Sequence, residues 1–421
     1  MVAVFGAVLL WARAPFAAMN FYAEDGSRFY HDAITVGFVD SLRNQMAGYY
    51  HFVPRVIGSV TALGPVSVAA LVNYLLVVMV VAWISSTIYL SSVTTLKRPC
   101  ARLVLAMGIT LLPIVGFESI ANSTNLHFLL LCGSSVVLLG RQSTCWQRIN
   151  GTVLVVATGL STPLLVSLLP LVVMRSWYNY RESGRLGSTV IVGWIIGVAG
   201  QLSFVFLLSG VSRELGDNRS LQRTIFLFLD RVIGYNYIPF WPRISSEDYS
   251  GSVSTLLVGR AFGCLLVVAL IAFLQYGAAR TGPFSTESYR VVAMVLITLV
   301  GGAFWLAAGM LFSTEPRYAV FSAFCIGWSV LIAAELVSRA SEGRGLVTPR
   351  QRSVGVVVLI LAIYSTHWTP SELRRSGPTW SDGLRVAEEI CATSDNSTAA
   401  VRVLPLTAVW EVELPCNQLE S

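Results

Sequence analysis

Long apolar stretches, separated by short polar connections, run along most of the chain. A membrane-spanning helix needs ~20 apolar residues, and most of these stretches approach or reach that length. Together they predict an all-α membrane protein with about ten transmembrane helices. The first apolar run is short for a span, so the first helix is predicted either from Met1 to about Met19, with Arg13 extending its side chain toward the membrane surface, or to start upstream of Met1. The later stretches are 64–92, 103–119, 127–140, 151–174, 187–210, 255–277, 291–312, 317–337 and 353–368.

Composition supports this interpretation. Hydrophobic residues make up 54% of the chain and charged residues only 12%, against about a quarter in soluble proteins. Most of the exterior must therefore face lipid. The net charge of +6 comes largely from arginines clustered between apolar stretches, a pattern typical of cytoplasmic helix ends. We therefore expect membrane lipids as partners and no nucleic acid.

Basic residues also predict which connections are cytoplasmic. Clusters within 97–102, 141–148, 175–185, 280–290 and 339–352 would all lie inside by the positive-inside rule. The stretch 151–174 would then begin and end on the same side. Ser161, Thr162 and Pro163 interrupt it and Pro170 follows, so we predict a re-entrant or half-length helical pair. A single kinked helix is the alternative.

The remaining connections are predicted to be external. They include an acidic first external loop (19–63), a short turn at 120–126, a second large external loop (211–254), the connection 313–316 and a small extracytoplasmic C-terminal tail (369–421). The transmembrane domain is accordingly 1–368. In the tail, Asp382 to Ile390 predicts a helix, and Ala399 to Leu404 and Trp410 to Leu414 predict strands. Cys391 and Cys416 share this tail, where an oxidising exterior permits a disulfide, but the sequence does not establish that the two sulfurs meet.

The first external loop opens with two adjacent carboxylates, Glu24 and Asp25, followed by Gly26. A carboxylate just above the membrane, beside a glycine that permits a tight turn, suits a general base that deprotonates an incoming hydroxyl. The structural alternative is a solvated loop with ordinary turn residues. The same loop carries His51 and Arg55.

Two further clusters have external positions. The turn that contains Glu118, Asn122, Asn125 and His127 could hydrogen-bond sugar hydroxyls, although helix capping explains part of its polarity. Arg317 opens a helix on the outer side, where the helix dipole disfavours a cation. Its expected compensation is an anion, either Glu315 or a phosphate group of a ligand. The arginines and aromatic residues of 211–254 suit a lipid phosphate or a solvated loop equally.

At these residues the chain resembles the GT-C superfamily of polytopic glycosyltransferases. The resemblance is architectural and covers most of the chain: an acidic loop after helix one, roughly ten spans, a half-length helical pair and a small external tail. The tail is shorter than the globular domains of many members, and the acidic motif is too short to identify a subfamily.

The resemblance implies an inverting glycosyltransferase of the bacterial plasma membrane with an outward-facing site. A polyprenyl-phosphate-linked sugar would be the donor and a glycan or lipid the acceptor. Asp25 or Glu24 would be the base, and Arg317, with Arg55, would hold the donor phosphate. Tyr318, Glu118, Asn122 and Asn125 would contact substrate, with His51 and His127 as weaker candidates. No cofactor is certain, and a divalent cation is possible.

Two other functions fit the pattern. A polysaccharide polymerase or ligase would share the external site and the lipid-linked substrate, but would depend less on Glu24 and Asp25. A lipid or solute transporter would also use many helices and a broken segment. It needs ionisable groups near mid-membrane, and the stretches 64–92, 103–117 and 291–312 contain none.

Overall fold

The computed structural model describes most of the chain as a bundle of helices with one small two-stranded sheet. The residues it does not describe are 45, 47, 117, 185, 209–220, 240–263, 266, 274, 277–285, 312–314, 341–348, 369–376, 395–396, 406–409 and 420–421. The α-helices of the described residues include α1 (Val2–Arg13), α2 (His31–Val36), α3 (Phe38–Ser41), α4 (Phe52–Thr61), α5 (Ala69–Ser91), α6 (Pro99–Leu111), α7 (Leu126–Leu139), α8 (Cys145–Ser161), α9 (Leu169–Ser183), α10 (Thr189–Leu208), α11 (Leu221–Leu227), α12 (Tyr235–Tyr237), α13 (Thr286–Leu311), α14 (Pro316–Ala340), α15 (Pro349–Ser365) and α16 (Trp380–Thr393).

Five helices of the described residues are long and apolar enough to cross a membrane. They cover Val66–Thr94, Pro99–Gly116, Thr189–Phe206, Ser288–Met310 and Pro316–Arg339. The chain thus has the character of an all-α membrane protein. The total of about ten spans stays a prediction, and the predicted span at 255–277 lies mostly outside the described residues.

Arg13 departs from the sequence-based expectation. Its guanidinium is buried and donates to the carbonyl oxygens of Leu112 and Pro113 at 2.9 and 3.0 Å, and also to that of Thr110. These carbonyls lie at the C-terminal end of α6, where backbone oxygens lack partners within the helix and the dipole favours a cation. The prediction that Arg13 reaches the membrane surface is therefore wrong, because it caps a neighbouring helix.

Helices α8 and α9 form a pair that returns to its starting end. Arg175 on α9 donates to the carbonyl oxygen of Gly140, just before α8, at 2.7 Å, and Arg141 lies 3.6 Å from Glu182. At the turn between the helices, the Thr162 side chain accepts from the Leu164 backbone N–H. The two arginine-bearing segments therefore meet, as a helical pair requires. The re-entrant path through the bilayer stays a prediction.

The ends of α5 separate two regions of the molecule. Its 23 residues span about 34 Å. Ala69 at its start packs with Trp380 of the tail, whereas Thr94, just beyond its end, accepts a hydrogen bond from the Arg141 backbone N–H at 2.8 Å. We call these the tail end and the basic end. A buried Arg290–Glu335 ion pair of 2.7 Å lies at the basic end, where Glu335 also accepts from the Lys97 backbone N–H.

The tail has the predicted helix and strands, and it packs on the first external loop. Strands β1 (Thr398–Arg402) and β2 (Glu411–Pro415) pair antiparallel, and a disulfide joins Cys391 of α16 to Cys416 after β2. Trp380 donates through its ring nitrogen to the Val66 carbonyl oxygen at 2.7 Å. Its ring packs edge-on against Phe21 of the loop, with centroids 5.0 Å apart.

Candidate functional site

The chain around the two acidic residues of the first external loop is tightly constrained. Ala23 has φ of 48°, a left-handed conformation that non-glycine residues rarely adopt, and its N–H donates to the carbonyl oxygen of Leu404 in the tail. A π-helical turn, Asp25–Tyr30, follows. Gly26 serves close packing rather than the tight turn predicted for it, since an added Cβ would lie 2.8 Å from Phe21 and 3.1 Å from Val412.

The Asp25 carboxylate is an anchor between two distant segments. It is 1% exposed and accepts four hydrogen bonds. Ser123 donates from its backbone N–H and its hydroxyl, both at 2.8 Å, and Thr124 donates from the same two groups at 3.0 and 2.8 Å. An ionised carboxylate has about four acceptor positions, so little capacity remains for a substrate proton.

Glu24 differs from its neighbour because its carboxylate is held by its own backbone N–H and receives none of the hydrogen bonds by which the external turn holds Asp25. It is partly buried. Burial raises the pKa of Glu24 above its usual range, and the negative charges of Asp25 and Glu118 raise it further, whereas the hydrogen bond from its own backbone N–H and the charge of Arg317 lower it. A carboxyl group with a raised pKa and unused acceptor positions has the properties of a general base.

Arg317 joins the first loop, the external turn and the start of α14 in one charged cluster. It lies 3.6 Å from Glu118 and also pairs with Glu315, and its side chain stays 29% exposed. Burial raises the pKa of Glu118, and Arg317 lowers it. We refer to Glu24, Glu118, Glu315 and Arg317 as the outer cluster. Glu315, one of the two anions expected for Arg317, is thus present.

The turn that carries Glu118 is buried despite its polarity. Asn125 donates through its amide to the Glu118 carbonyl oxygen at 3.3 Å, and its backbone N–H donates to the Asn122 side chain at the same distance. The amide nitrogen of Asn122 is buried and has no hydrogen-bond partner among the described residues. These amides therefore shape the turn that holds Asp25, and the side-chain NH2 of Asn122 keeps both of its donors unused in the described part of the chain.

Aromatic rings form a wall beside this turn. His127 donates through Nδ1 to the Thr124 carbonyl oxygen at 2.7 Å. His51 is buried, with its ring centroid 6.2 Å from that of His127 and 4.1 Å from that of Tyr49. Tyr318, next to Arg317, packs against Phe128 at 5.2 Å. The predicted residues His51, His127 and Tyr318 thus lie next to the residues that hold Asp25.

Arg55 is engaged in contacts within the first external loop. Its guanidinium is 1% exposed and donates to Asp32 at 2.8 Å and to the Ser41 carbonyl oxygen at 2.9 Å. Both partners belong to the first external loop, so Arg55 holds the helices of that loop together. A role in phosphate binding would require it to leave a buried ion pair, which is costly.

Arg231 is a further residue near the outer cluster that the sequence did not single out. It is buried in a π-helical turn, Phe228–Gly234, and its positive charge lowers the pKa of Glu118. Its position in the second large external loop gave no distinct signal, because five arginines occur between 211 and 254. Most of that loop lies outside the described residues.

Metal ligands do not cluster in the described part of the chain: no group there of three or more His, Cys, Asp or Glu side chains could hold an ion. The acidic side chains of the outer cluster instead surround a guanidinium. A comparison with known protein families finds no match for the chain. The arrangement itself, a partly buried carboxylate beside an arginine that faces solvent, is suited to proton removal next to an anionic group.

Proposed function

We propose that this protein is a membrane glycosyltransferase that uses a polyprenyl-phosphate-linked sugar and an envelope glycan or lipid acceptor on the extracytoplasmic side. The observation that supports the proposal most is the outer cluster. A carboxylate from residue 24 and a guanidinium from residue 317 lie close enough that each changes the electrostatics of the other. Proton removal and phosphate binding need such a pair.

Glu24 is the proposed base. Its carboxylate takes the proton of an acceptor hydroxyl while that oxygen forms a bond to the anomeric carbon of the donor sugar. The bond from that carbon to the phosphate oxygen breaks, and its electron pair leaves with the phosphate. One displacement without a protein nucleophile inverts the anomeric centre. Glu24 suits this role better than Asp25, because the Asp25 carboxylate is buried and already accepts four hydrogen bonds.

Arg317 is the proposed phosphate ligand. The departing lipid phosphate is anionic and needs positive charge more than a proton, and a guanidinium can donate to two phosphate oxygens at once. Glu118 and Glu315 hold the arginine in the structure described here. The 3.6 Å separation from Glu118 is long for a hydrogen-bonded pair, so a phosphate replaces this contact at small cost.

Asp25 is proposed as a positioning residue. Its bonds to Ser123 and Thr124 fix the first loop against the external turn, and thereby set Glu24 and Glu118 on either side of Arg317. Replacing Asp25 by Asn exchanges an acceptor oxygen for an amide donor that faces other donors. Loss of charged hydrogen bonds of this kind costs about 1.5–3 kcal/mol each, so we expect lower stability together with lower transfer.

The experiment measures sugar transfer from a polyprenyl-phosphate donor by purified protein in lipid. Glu24→Gln is expected to reduce kcat by about 100- to 10,000-fold, the usual contribution of a general base. Arg317→Gln is expected to raise the KM for the donor and to lower kcat. Glu413→Gln, an exposed carboxylate of the tail, is the matched control and should leave transfer unchanged.

Undiminished transfer by Glu24→Gln would remove the base assignment. Thermal unfolding of each variant separates this result from misfolding. We expect Glu24→Gln to keep its fold while Asp25→Asn unfolds at lower temperature. If Asp25→Asn abolished transfer at full stability and Glu24→Gln did not, the roles proposed for the two residues would be reversed.

A further inference from the structure

Two adjoining cavities lie at the basic end, at the opposite end of α5 from the tail end. One has a volume of about 440 Å³ and the other of about 530 Å³. Arg141, Tyr178 and Glu182 line both of them, so the cavities share a wall. Lys97 and Tyr289 also line the first cavity, and Arg148 and Arg175 also line the second. The mechanism proposed above uses none of these residues.

The lining of the cavities is strongly cationic. It includes Lys97, Arg141, Arg148 and Arg175 against one carboxylate, Glu182. The Arg141–Glu182 pair is 3.6 Å long with side chains 65% and 40% exposed, so an arriving anion displaces Glu182 at little cost. The cavities therefore favour a negatively charged ligand.

The residues that line the cavities are held in place by hydrogen bonds and ring contacts that exist without a ligand. Arg175 is buried and donates to the Gly140 carbonyl oxygen at 2.7 Å and to the Gln142 side chain at 3.1 Å. The Tyr289 hydroxyl donates to the Leu139 carbonyl oxygen at 2.7 Å, and its ring lies 4.5 Å from that of Tyr178. A preformed wall of this kind lowers the entropy cost of binding.

Large exposed aromatic side chains at the same end narrow the choice of anionic ligand. Trp146, Trp177 and Tyr180 are 72%, 47% and 58% exposed, and amphipathic rings of this type concentrate where a membrane meets water. Trp146 opens α8 beside Arg148, and the other two flank Tyr178. Such rings beside the cavities favour a ligand that lies at the boundary between membrane and water.

We propose that these cavities bind the phosphate-bearing headgroup of an anionic membrane phospholipid. Basic pockets between helices at this level suit such headgroups, and a phosphate bound by Arg141 and Arg148 would bridge the first turn of α8 to the segment that precedes it. The proposal is independent of the glycosyltransferase function. It predicts selectivity by headgroup charge, and a dependence on the acyl chains that hold the phosphate at the surface.

The test measures lipid retention by native mass spectrometry of the purified protein. Phosphatidylglycerol is expected to bind more tightly than phosphatidylcholine, and Arg141→Gln and Arg148→Gln should each weaken it about fivefold. Arg181→Gln is the matched control, because Arg181 is an exposed arginine of α9 that lines neither cavity. Both target arginines are exposed, so the variants should fold, and thermal unfolding checks this.

The source of the phosphate is tested with glycerol 3-phosphate, which carries the anion without chains. Weak or absent binding of this compound supports the lipid assignment, whereas binding as tight as that of phosphatidylglycerol would overturn it in favour of a soluble anion. Equal retention of the two phospholipids, or equal losses in Arg181→Gln and Arg141→Gln, would overturn the site itself.

Discussion

At the scale of single residues, the two neighbouring carboxylates of the first loop have opposite settings. Asp25 is fully engaged by the external turn, whereas Glu24 lies partly buried beside charged groups of both signs. Glu24 precedes the π-helical turn that Asp25 begins, and the two side chains have different surroundings, so sequence adjacency does not give them a shared role. The difference makes the pKa of Glu24 the property to measure.

We expect the rate of transfer to fall on the acidic side at a pH above 4.5, the ordinary value for glutamate, because the pKa of Glu24 is raised. Glu118→Gln removes a negative charge that raises this pKa and should move the acidic limb to lower pH. Arg317→Gln removes a positive charge that lowers the pKa of Glu24. The acidic limb of the activity that remains should therefore move to higher pH. Profiles of kcat/KM against pH check both, and shifts of the same sign would contradict the cluster.

Stability should depend on Glu24 with the opposite sign to activity. A raised pKa means that the folded protein binds this proton more tightly than the unfolded chain, so its stabilising effect is complete at low pH and is lost as pH rises through the raised pKa. Glu24→Gln lacks that loss. We expect the variant to be more stable than the natural protein at neutral pH, with the difference vanishing in acid. Thermal unfolding in detergent across this range measures it.

At the scale of elements, the tail acts on the first external loop. The Leu404 backbone N–H donates to the Phe21 carbonyl oxygen at 3.2 Å. The Trp380 backbone N–H donates to the Met19 carbonyl oxygen at 2.7 Å. Together with the bond from Ala23 to Leu404, these contacts hold the chain immediately before Glu24. The tail therefore braces the residue that we propose as the base.

The disulfide of the tail should matter for activity as well as for stability. Cys391 and Cys416 close a segment with a sequence separation of 25, for which loop entropy gives about 3 kcal/mol. Replacing both cysteines by serine should loosen the tail. We expect this to lower the melting temperature of the protein and its rate of transfer. Cys145→Ser, at an exposed free cysteine, is the control. Full transfer by the double variant would show that the brace is dispensable.

Sequence patterns predicted the elements better than their partners. Period and composition gave the long apolar helices and the helix and strands of the tail, because these follow from local propensity and burial. Arg13 was misjudged and the bonding of Asp25 was not predicted, since their partners lie 97 to 100 and 98 to 99 positions away. The local sequence around a polar residue near a helix end is the same whether its side chain faces water or caps another helix.

At the scale of the whole molecule, the two ends should lie on opposite sides of the membrane. We expect a cysteine at position 63, beside the tail end, to react with a membrane-impermeant reagent on intact cells. A cysteine at position 180, at the basic end, should react only after permeabilisation. Leu63 and Tyr180 are 74% and 58% exposed, so both substitutions are tolerable, and Cys145→Ser provides a quiet background. Labelling of both positions from one side would contradict the predicted sidedness.

The four bonds received by Asp25 also bear on how the protein matures. During synthesis residue 25 emerges long before Ser123 and Thr124, Arg317 follows much later, and Leu404 emerges later still. A nascent chain therefore carries the acidic loop without its anchor, its counter-charge or its brace. A fragment that stops before residue 404 would lack these contacts, so under the proposed mechanism we expect it to insert helices without transferring sugar.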